Sequence, residues 1–178
     1  MSAVIWGMIG AGIAALVAGL VLVRSRFAAA SGASRILTLG PIFEAVALTI
    51  FAAEHFLYPK FVPGVPLQKL TPSWVPAPAM LGYFVGIVLL AAGIGLMVPR
   101  FRRIAAAGAG TVLLLLTFFF YVPILITDMG SPLALEGVNY VGDTMLFAAT
   151  ALLVGFTSEP AEQVESATEL GAASRIAR

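Results

Sequence analysis

The chain has 178 residues, of which 60% are hydrophobic and only 11% are charged, and its mean hydropathy is +1.01. Soluble domains average about 45–50% apolar and about 25% charged residues, so this composition predicts an integral membrane protein. The sequence has no cysteine, which excludes a disulfide framework, a thiol redox centre and a thiolate-bound metal cluster. The formal net charge is +1, and no nucleic acid is expected as a partner.

Five apolar segments predict membrane-spanning helices, because each reaches the ~20 residues that are needed to cross a hydrocarbon core. A closed barrel is excluded, since barrel strands alternate in polarity over about ten residues and these segments do not. The predicted fold class is all-α, a polytopic membrane helix bundle with one transmembrane domain (1–157) and a cytoplasmic tail (158–178). The predicted spans are residues 3–23, 37–58, 79–98, 104–126 and 138–157.

The arginines predict how these spans are oriented. Three arginines lie between the first and second spans and three between the third and fourth, whereas the opposite connectors contain only Lys60 and Lys69. The positive-inside rule then places the arginine loops and the C-terminus in the cytoplasm and the N-terminus outside. We expect a multi-pass protein of the inner membrane. The first span is expected to be retained rather than cleaved as a signal peptide, because no basic residue precedes Arg24.

Polar residues collect where the second, fourth and fifth spans reach the predicted outer face. They are Glu54, His55 and Tyr58, then Thr127 and Asp128, and finally Asn139 and Asp143. Ionisable side chains within a bilayer are rare and often functional. His55, the only histidine, could serve a ligand site or lie at headgroup level, hydrogen-bonded to a carbonyl. Asn139 and Asp143 lie one turn apart and could belong to the site or cap the fifth span.

Glu44 lies deeper in the second span than any other ionisable residue there. Eleven residues separate it from His55, close to three helical turns, so Glu44, Phe51 and His55 share a face while Glu54 points elsewhere. A carboxylate at this depth must be protonated, paired or hydrated. It could serve a proton path or a polar cavity wall, or it could make a structural hydrogen bond. No metal is expected at His55, because one imidazole without a thiolate is a poor ligand set.

Two further patterns concern packing of the spans. Small residues form one stripe in the first span and another in the third, which favours close packing within the bundle over a dimer seam. These residues are Gly7, Ala11, Ala15 and Ala18, and Gly82, Gly86 and Gly93. In the fourth span, an aromatic block at 118–121 precedes Pro123, which is expected to kink the helix.

The connector at 59–78 holds six of the eleven prolines and is expected to form a stiff lid over the outer polar cluster. Trp74 and Tyr58 suit the aromatic belt of the outer interface. The tail carries four glutamates before Arg175. It is expected to be solvated, with a short helix on a cytoplasmic partner as the alternative.

Several short motifs occur in an order that resembles the DoxX-like small membrane proteins. They are His55-Phe-Leu-Tyr-Pro59, Thr71-Pro-Ser-Trp74-Val-Pro76, Tyr83-Phe-Val-Gly86, Ala91-Ala-Gly93 and Pro99-Arg-Phe-Arg-Arg103. The resemblance covers residues 44–125 and implies a four-helix core, here with a fifth transmembrane helix. It also implies quinone-linked sulfur oxidation, an oxidative-stress complex, or a chaperone or cargo role. Of the candidate site residues, His55 is the one that the resemblance supports best, whereas Glu44, Asp128 and Asp143 match no family motif. Thiol chemistry is not carried over, because the chain has no cysteine.

These patterns predict a membrane subunit that binds a quinone-like ligand near the outer face and supports redox or proton transfer. The residues expected to exchange protons are Glu54, His55, Glu44 and Asp143. The residues expected to contact the ligand are His55, Tyr58, Phe51, Trp74 and Tyr121. The aromatic block would supply the apolar wall, and electrons would come from a partner subunit or a bound cofactor.

The expected partners are the lipid bilayer and either other membrane subunits or further copies of the chain. Whether the chain is an enzyme stays open at this point. The alternatives are a non-catalytic scaffold or accessory subunit of a membrane complex, and a small proton-coupled transporter.

Overall fold

The computed structural model describes residues 3–59, 74–130 and 134–158. Within them the chain forms seven α-helices and one π-helical turn, and no strand, which confirms the all-α class. In chain order these are α1 (Ala3–Ala29), α2 (Ala33–Leu37), α3 (Gly40–Leu57), α4 (Pro78–Met97), α5 (Arg102–Leu116), the π-helical turn (Thr117–Tyr121), α6 (Val122–Asp128) and α7 (Ala134–Thr157). Most of the predicted lid and nearly all of the predicted tail lie outside the described residues.

Five helical stretches are long and apolar enough to cross a membrane, and each overlaps one predicted span. This is compatible with a multi-pass membrane protein. The main difference is at the end of α1, which continues to Ala29, so Arg24 and Arg26 lie on its last two turns instead of in a loop. Basic residues near a helix C-terminus interact favourably with the helix dipole, which explains why the helix extends through them.

Glycines on α1 show how this helix packs. A Cβ on Gly12 would lie 2.7 Å from Ile50 Cδ1, and one on Gly19 would lie 2.6 Å from Ile42 Cγ2. The numbering falls along α3 as it rises along α1, so the two helices are antiparallel. The buried residues of α1 are Gly12, Ala15, Gly19 and Val23. Of the four residues predicted for this stripe, only Ala15 is among the buried ones, so the prediction was partly wrong. The isoleucine side chains of α3 pack where α1 has a glycine, because a Cβ there would collide with them.

The other helices form a ring of four. α3 packs against α4, α4 against α5 and α5 against α7, and contacts between α3 and α7 close the ring. On α4, Gly86 lies against His55 and Gly93 against Thr49, so α3 and α4 are antiparallel. Gly110 against Leu152 and Gly155 against Ala106 show the same for α5 and α7. Gly82, Gly86 and Gly93 are buried on α4, which confirms their predicted role in packing. α1 therefore lies outside a four-helix ring.

The fourth span is interrupted by the π-helical turn, where the Val122 N–H donates to the Thr117 carbonyl. Pro123 follows at once and has no N–H to donate, so the chain cannot continue a regular ladder of α-helical bonds there. The irregularity expected at Pro123 thus takes the form of a π-helical turn just before it. Such turns are frequent at functional sites, and this one ends in the buried Tyr121.

Candidate functional site

A cavity of about 110 Å³ lies inside the ring, where α3 and α5 end and α7 begins. We call it the His55 cavity. Its polar lining consists of Glu54, His55, Tyr121, Tyr140, Asp143 and Thr144. Its apolar lining consists of Phe51, Leu89, Leu113, Leu116 and Phe147. Five of the residues predicted for the site therefore line one cavity, although they come from three different parts of the chain.

His55 is held rigidly in this cavity. Its side chain is only 4% exposed, and Nδ1 lies 2.7 Å from the carbonyl oxygen of Phe51. A carbonyl can only accept, so Nδ1 must carry the hydrogen, and Nε2 of the neutral ring is then an acceptor. One alternative placed His55 at the level of the lipid headgroups, with a hydrogen bond to a carbonyl. That hydrogen bond is present, but the side chain is buried within the helix bundle. His55 can therefore exchange a proton at Nε2 while Nδ1 fixes the ring.

The backbone of α4 supports His55 from behind. A Cβ on Gly86 would lie 3.0 Å from His55 Cβ and 3.1 Å from Phe56 Cε1. The nearest atom belongs to the base of the His55 side chain, which cannot move without moving α3. Gly86 therefore sets the distance between α4 and the helix that carries His55.

We expect Gly86→Ala to lower the thermal midpoint of the purified protein, because the added methyl forces α3 and α4 apart. Overpacking of this kind costs about 1–3 kcal/mol. The control is Gly108→Ala on α5, where a Cβ would meet nothing within 4 Å and where alanine favours the helix by up to about 1 kcal/mol. Thermal unfolding in detergent compares them, and equal midpoints would contradict the role given to Gly86.

Aromatic pairs build two walls of the His55 cavity. Phe51 of α3 and Phe147 of α7 meet edge to face, with ring centroids 5.1 Å apart and an interplanar angle of 86°. Tyr121 and Tyr140 lie 6.3 Å apart at 39°. Edge-to-face and tilted arrangements are favourable for aromatic rings. Four aromatic rings thus form part of the cavity wall, and two of them carry hydroxyl groups.

Two expectations about the polar lining need correction. Glu54 was expected to point away from His55, but both residues line the cavity. Adjacent helical residues point only about 100° apart, and a cavity bounded by all four helices of the ring is wide enough to be reached by both. Asn139 and Asp143 do not cap the fifth span, since α7 begins at Ala134. Both lie beyond its first turn, and Asp143 contributes to the cavity wall.

The expected aromatic wall was wrong for most of the 118–121 block. Phe118 and Phe119 are exposed, and only Tyr121 reaches the cavity, because consecutive residues point in different directions around a helix. Leucines of α4 and α5 form the apolar wall that the block was expected to supply. The sequence interpretation missed Tyr140, Thr144 and Phe147, although with Asp143 they follow the spacing of one helical face, which was the available signal.

Tyr58 and Trp74, both expected to contact the ligand, do not line the cavity. Trp74 stacks on Phe120, with centroids 5.8 Å apart and an interplanar angle of 16°, and the adjacent Val75 is buried in the core. The C-terminal end of the connector therefore packs on the bundle. Residues 60–73 of the expected lid, and the side chain of Asp128, lie outside the described residues.

Glu44 is separate from the cavity but is also buried. Its side chain is 4% exposed, and within the described residues Oε1 has no hydrogen-bond partner. Along α3 it lies about 16 Å from His55, at about 1.5 Å of rise per residue. One alternative for Glu44 was a structural hydrogen bond to a neighbouring helix, and Oε1 makes no such bond within the described residues. Buried polar atoms are almost always hydrogen-bonded, so an unpaired one requires an explanation.

Among the described residues, no group of three or more His, Asp and Glu side chains lies close enough together to hold a metal ion. A model of a family described as a domain of unknown function (DUF8561) matches residues 45–140. The match includes His55 and Tyr121 and leaves out α1 and Glu44. No curated protein and no solved structure matches the chain.

Proposed function

The chain belongs to the DUF8561 family, and we propose that it binds the ring of a quinone-like molecule in the His55 cavity and exchanges protons with it. One observation carries this proposal. An otherwise apolar cavity between helices contains a histidine, two carboxyl groups and two phenols. Ligand sites commonly combine apolar walls with a few polar groups in this way.

The size of the cavity favours a single ring. An apolar protein cavity of about 150 Å³ is known to hold benzene, whereas drug-sized ligands occupy about 300–1,000 Å³. The His55 cavity, at about 110 Å³, is much closer to the first size, so it has room for no more than one six-membered ring. A longer hydrophobic tail of the same molecule would lie in the bilayer, which is the natural medium for such tails.

The polar groups suit both states of such a ring. A quinone has two carbonyl oxygens that accept hydrogen bonds, and a quinol has two hydroxyls that donate them. Neutral His55 accepts at Nε2 and its protonated form donates there, while Glu54 and Asp143 can likewise accept or, when protonated, donate. Oxidation of the quinol releases two protons to these groups and two electrons to a redox partner subunit or its cofactor.

The proposal includes three finer assignments. We assign the chain to the DoxX-like proteins on the order of its motifs, supported by a ring of four helices with α1 outside it. We assign the His55 cavity to the outer face of the inner membrane, an orientation that the distribution of arginines supports. Glu44 is assigned a role in relaying protons from the cavity towards the opposite end of α3.

Filling the cavity tests whether the ring binds there. We expect the purified protein in lipid nanodiscs to bind a tail-free benzoquinone saturably in a calorimetric titration. Thr144→Trp, which fills the cavity, should weaken this binding by about tenfold or more, the effect of losing about 1.4 kcal/mol. The control is Met145→Trp, because Met145 is exposed and lies outside the cavity lining. Equal affinities for the two variants, or no binding by the unaltered protein, would refute the proposal.

A further inference from the structure

A second cavity lies at the opposite end of the ring, where α1 and α7 end and α3 and α5 begin. Its volume is about 510 Å³. It is named the arginine cavity here after Arg26 of α1 and Arg102 of α5. The two cavities share no lining residue, so what is argued for one does not depend on the other.

The arginine cavity concentrates positive charge. None of its described lining residues is acidic, and two arginines from different helices, Arg26 and Arg102, line the same space. A cleft lined by charges of one sign attracts ions of the opposite sign. The arrangement therefore favours a negatively charged occupant.

Arg102 is positioned to meet such an occupant. Its Nε donates to the carbonyl of Leu96 at 2.9 Å, which fixes the guanidinium group at the turn between α4 and α5. A guanidinium has five N–H donors in a rigid fork, and the remaining four suit the oxygens of a phosphate. The half-buried position of Arg102 strengthens such a contact relative to an exposed one.

The hydroxyl groups around the cavity are already committed. Thr38, Thr150, Thr157 and Ser158 each donate to a carbonyl within 2.6–2.8 Å. The side-chain donors that remain for an anion therefore come from the two arginines. The rest of the lining includes Val23, Leu37, Leu153 and Val154, so the charged site adjoins a surface suited to acyl chains.

We propose that the arginine cavity binds a phosphate group, held between Arg26 and Arg102. The apolar lining favours the phosphodiester headgroup of an anionic membrane lipid over soluble phosphate as its source. Basic pockets between transmembrane helices are a known way to recognise such headgroups. The lipid would then hold α1 to the four-helix ring, which otherwise contacts α1 mainly through α3.

Lipid titration of the delipidated full chain in neutral detergent tests this site. We expect phosphatidylglycerol to raise the thermal midpoint and to be retained in native mass spectrometry, and zwitterionic phosphatidylcholine to do neither. Arg26→Gln and Arg102→Gln should each weaken phosphatidylglycerol binding by about tenfold, because each removes a charge-assisted contact. The control is Arg103→Gln, which removes the same charge from a residue that does not line the cavity.

A second arm of the experiment replaces the lipid with inorganic phosphate. Stabilisation by phosphate that depends on Arg26 and Arg102 would support the site with a soluble source. Equal effects of the two lipids without any effect of phosphate, or equal losses in all three variants, would overturn the proposal. Arg102→Gln also loses the bond to Leu96, so if it does not fold, Arg26→Gln decides the test, because Arg26 is exposed.

Discussion

Replacing His55 by leucine is expected to weaken binding of a benzoquinone ring by about 10- to 100-fold, because a ligand oxygen buried without its hydrogen-bond partner costs about 1–3 kcal/mol. Leucine fills similar space, and the helix itself still satisfies the Phe51 carbonyl through its backbone ladder. The fold should therefore survive the change. Calorimetric titration gives the affinity, and circular dichroism in the same detergent checks the helix content.

His55→Gln separates binding from proton exchange. Glutamine keeps a side-chain amide that can donate and accept, but it does not take up a proton at neutral pH. We expect its affinity for the ring to fall by less than that of His55→Leu. Proton release on oxidation of the bound quinol by ferricyanide, followed with a pH-indicator dye, should slow by about 100-fold or more, the usual contribution of a general base.

The matched controls are Tyr58→Phe and Trp74→Phe. Their sequence positions suggested ligand contacts, but neither residue lines the His55 cavity, so both variants should bind the ring as the unaltered protein does. If the protein is instead a scaffold or accessory subunit, the His55 variants and both controls should give the same result in the titration. That outcome would refute the quinone site and favour the non-catalytic alternative.

The five spans could be found from sequence because a bilayer demands long apolar helices, a signal that composition alone carries. The helix ends were less predictable. Arg24 and Arg26 looked like loop residues, yet α1 continues through them to Ala29, because a helix at a membrane surface can carry charge. The π-helical turn at Thr117–Tyr121 was also beyond prediction, since Pro123 signals a disturbance but not its form.

The candidate site was predictable only where its residues stand out chemically. His55, Glu54 and Asp143 are conspicuous because ionisable groups are rare in apolar segments. Leu89 and Leu113 are not, since dozens of similar residues face lipid or neighbouring helices. Which leucine lines a cavity depends on how the helices pack, and the close approaches at glycines set that packing. Helix packing also determines that Phe147 lines the cavity while Phe119 is exposed.

Glu44→Leu is expected to stabilise the protein. The buried carboxyl has an oxygen without a hydrogen-bond partner in the described residues, and leaving such a group unsatisfied costs about 1–3 kcal/mol. Leucine removes the polar atoms while roughly keeping the volume, so the free energy of unfolding should rise by about that amount. Denaturant unfolding in mixed micelles measures it. A fall in stability would show that Glu44 makes a structural hydrogen bond.

The same residue should be indispensable for moving protons along α3. Glu44 lies one turn from Gly40 and Pro41, which line the arginine cavity, and about three turns from His55 in the other cavity. A group that loads and unloads a proton between them needs an environment in which neither form is locked by a partner. Glu44 would thus lower the stability of the fold but be retained for proton transfer, since residues needed for activity are often destabilising.

Glu44→Gln tests this role, because glutamine keeps the shape of the side chain and cannot exchange the proton. In vesicles loaded with a pH dye, ferricyanide outside oxidises the quinol, and the unaltered protein should acidify the interior. We expect Glu44→Gln to slow that acidification by about 100-fold or more while ring affinity stays unchanged, since proton transfer fails but the His55 cavity is intact. Thr49→Val on α3 is the control, because its hydroxyl donates to its own helix at Ala45 and is outside both cavities. Undiminished acidification in Glu44→Gln would leave the carboxyl without a role in proton transfer, and the unpaired Oε1 would need another explanation.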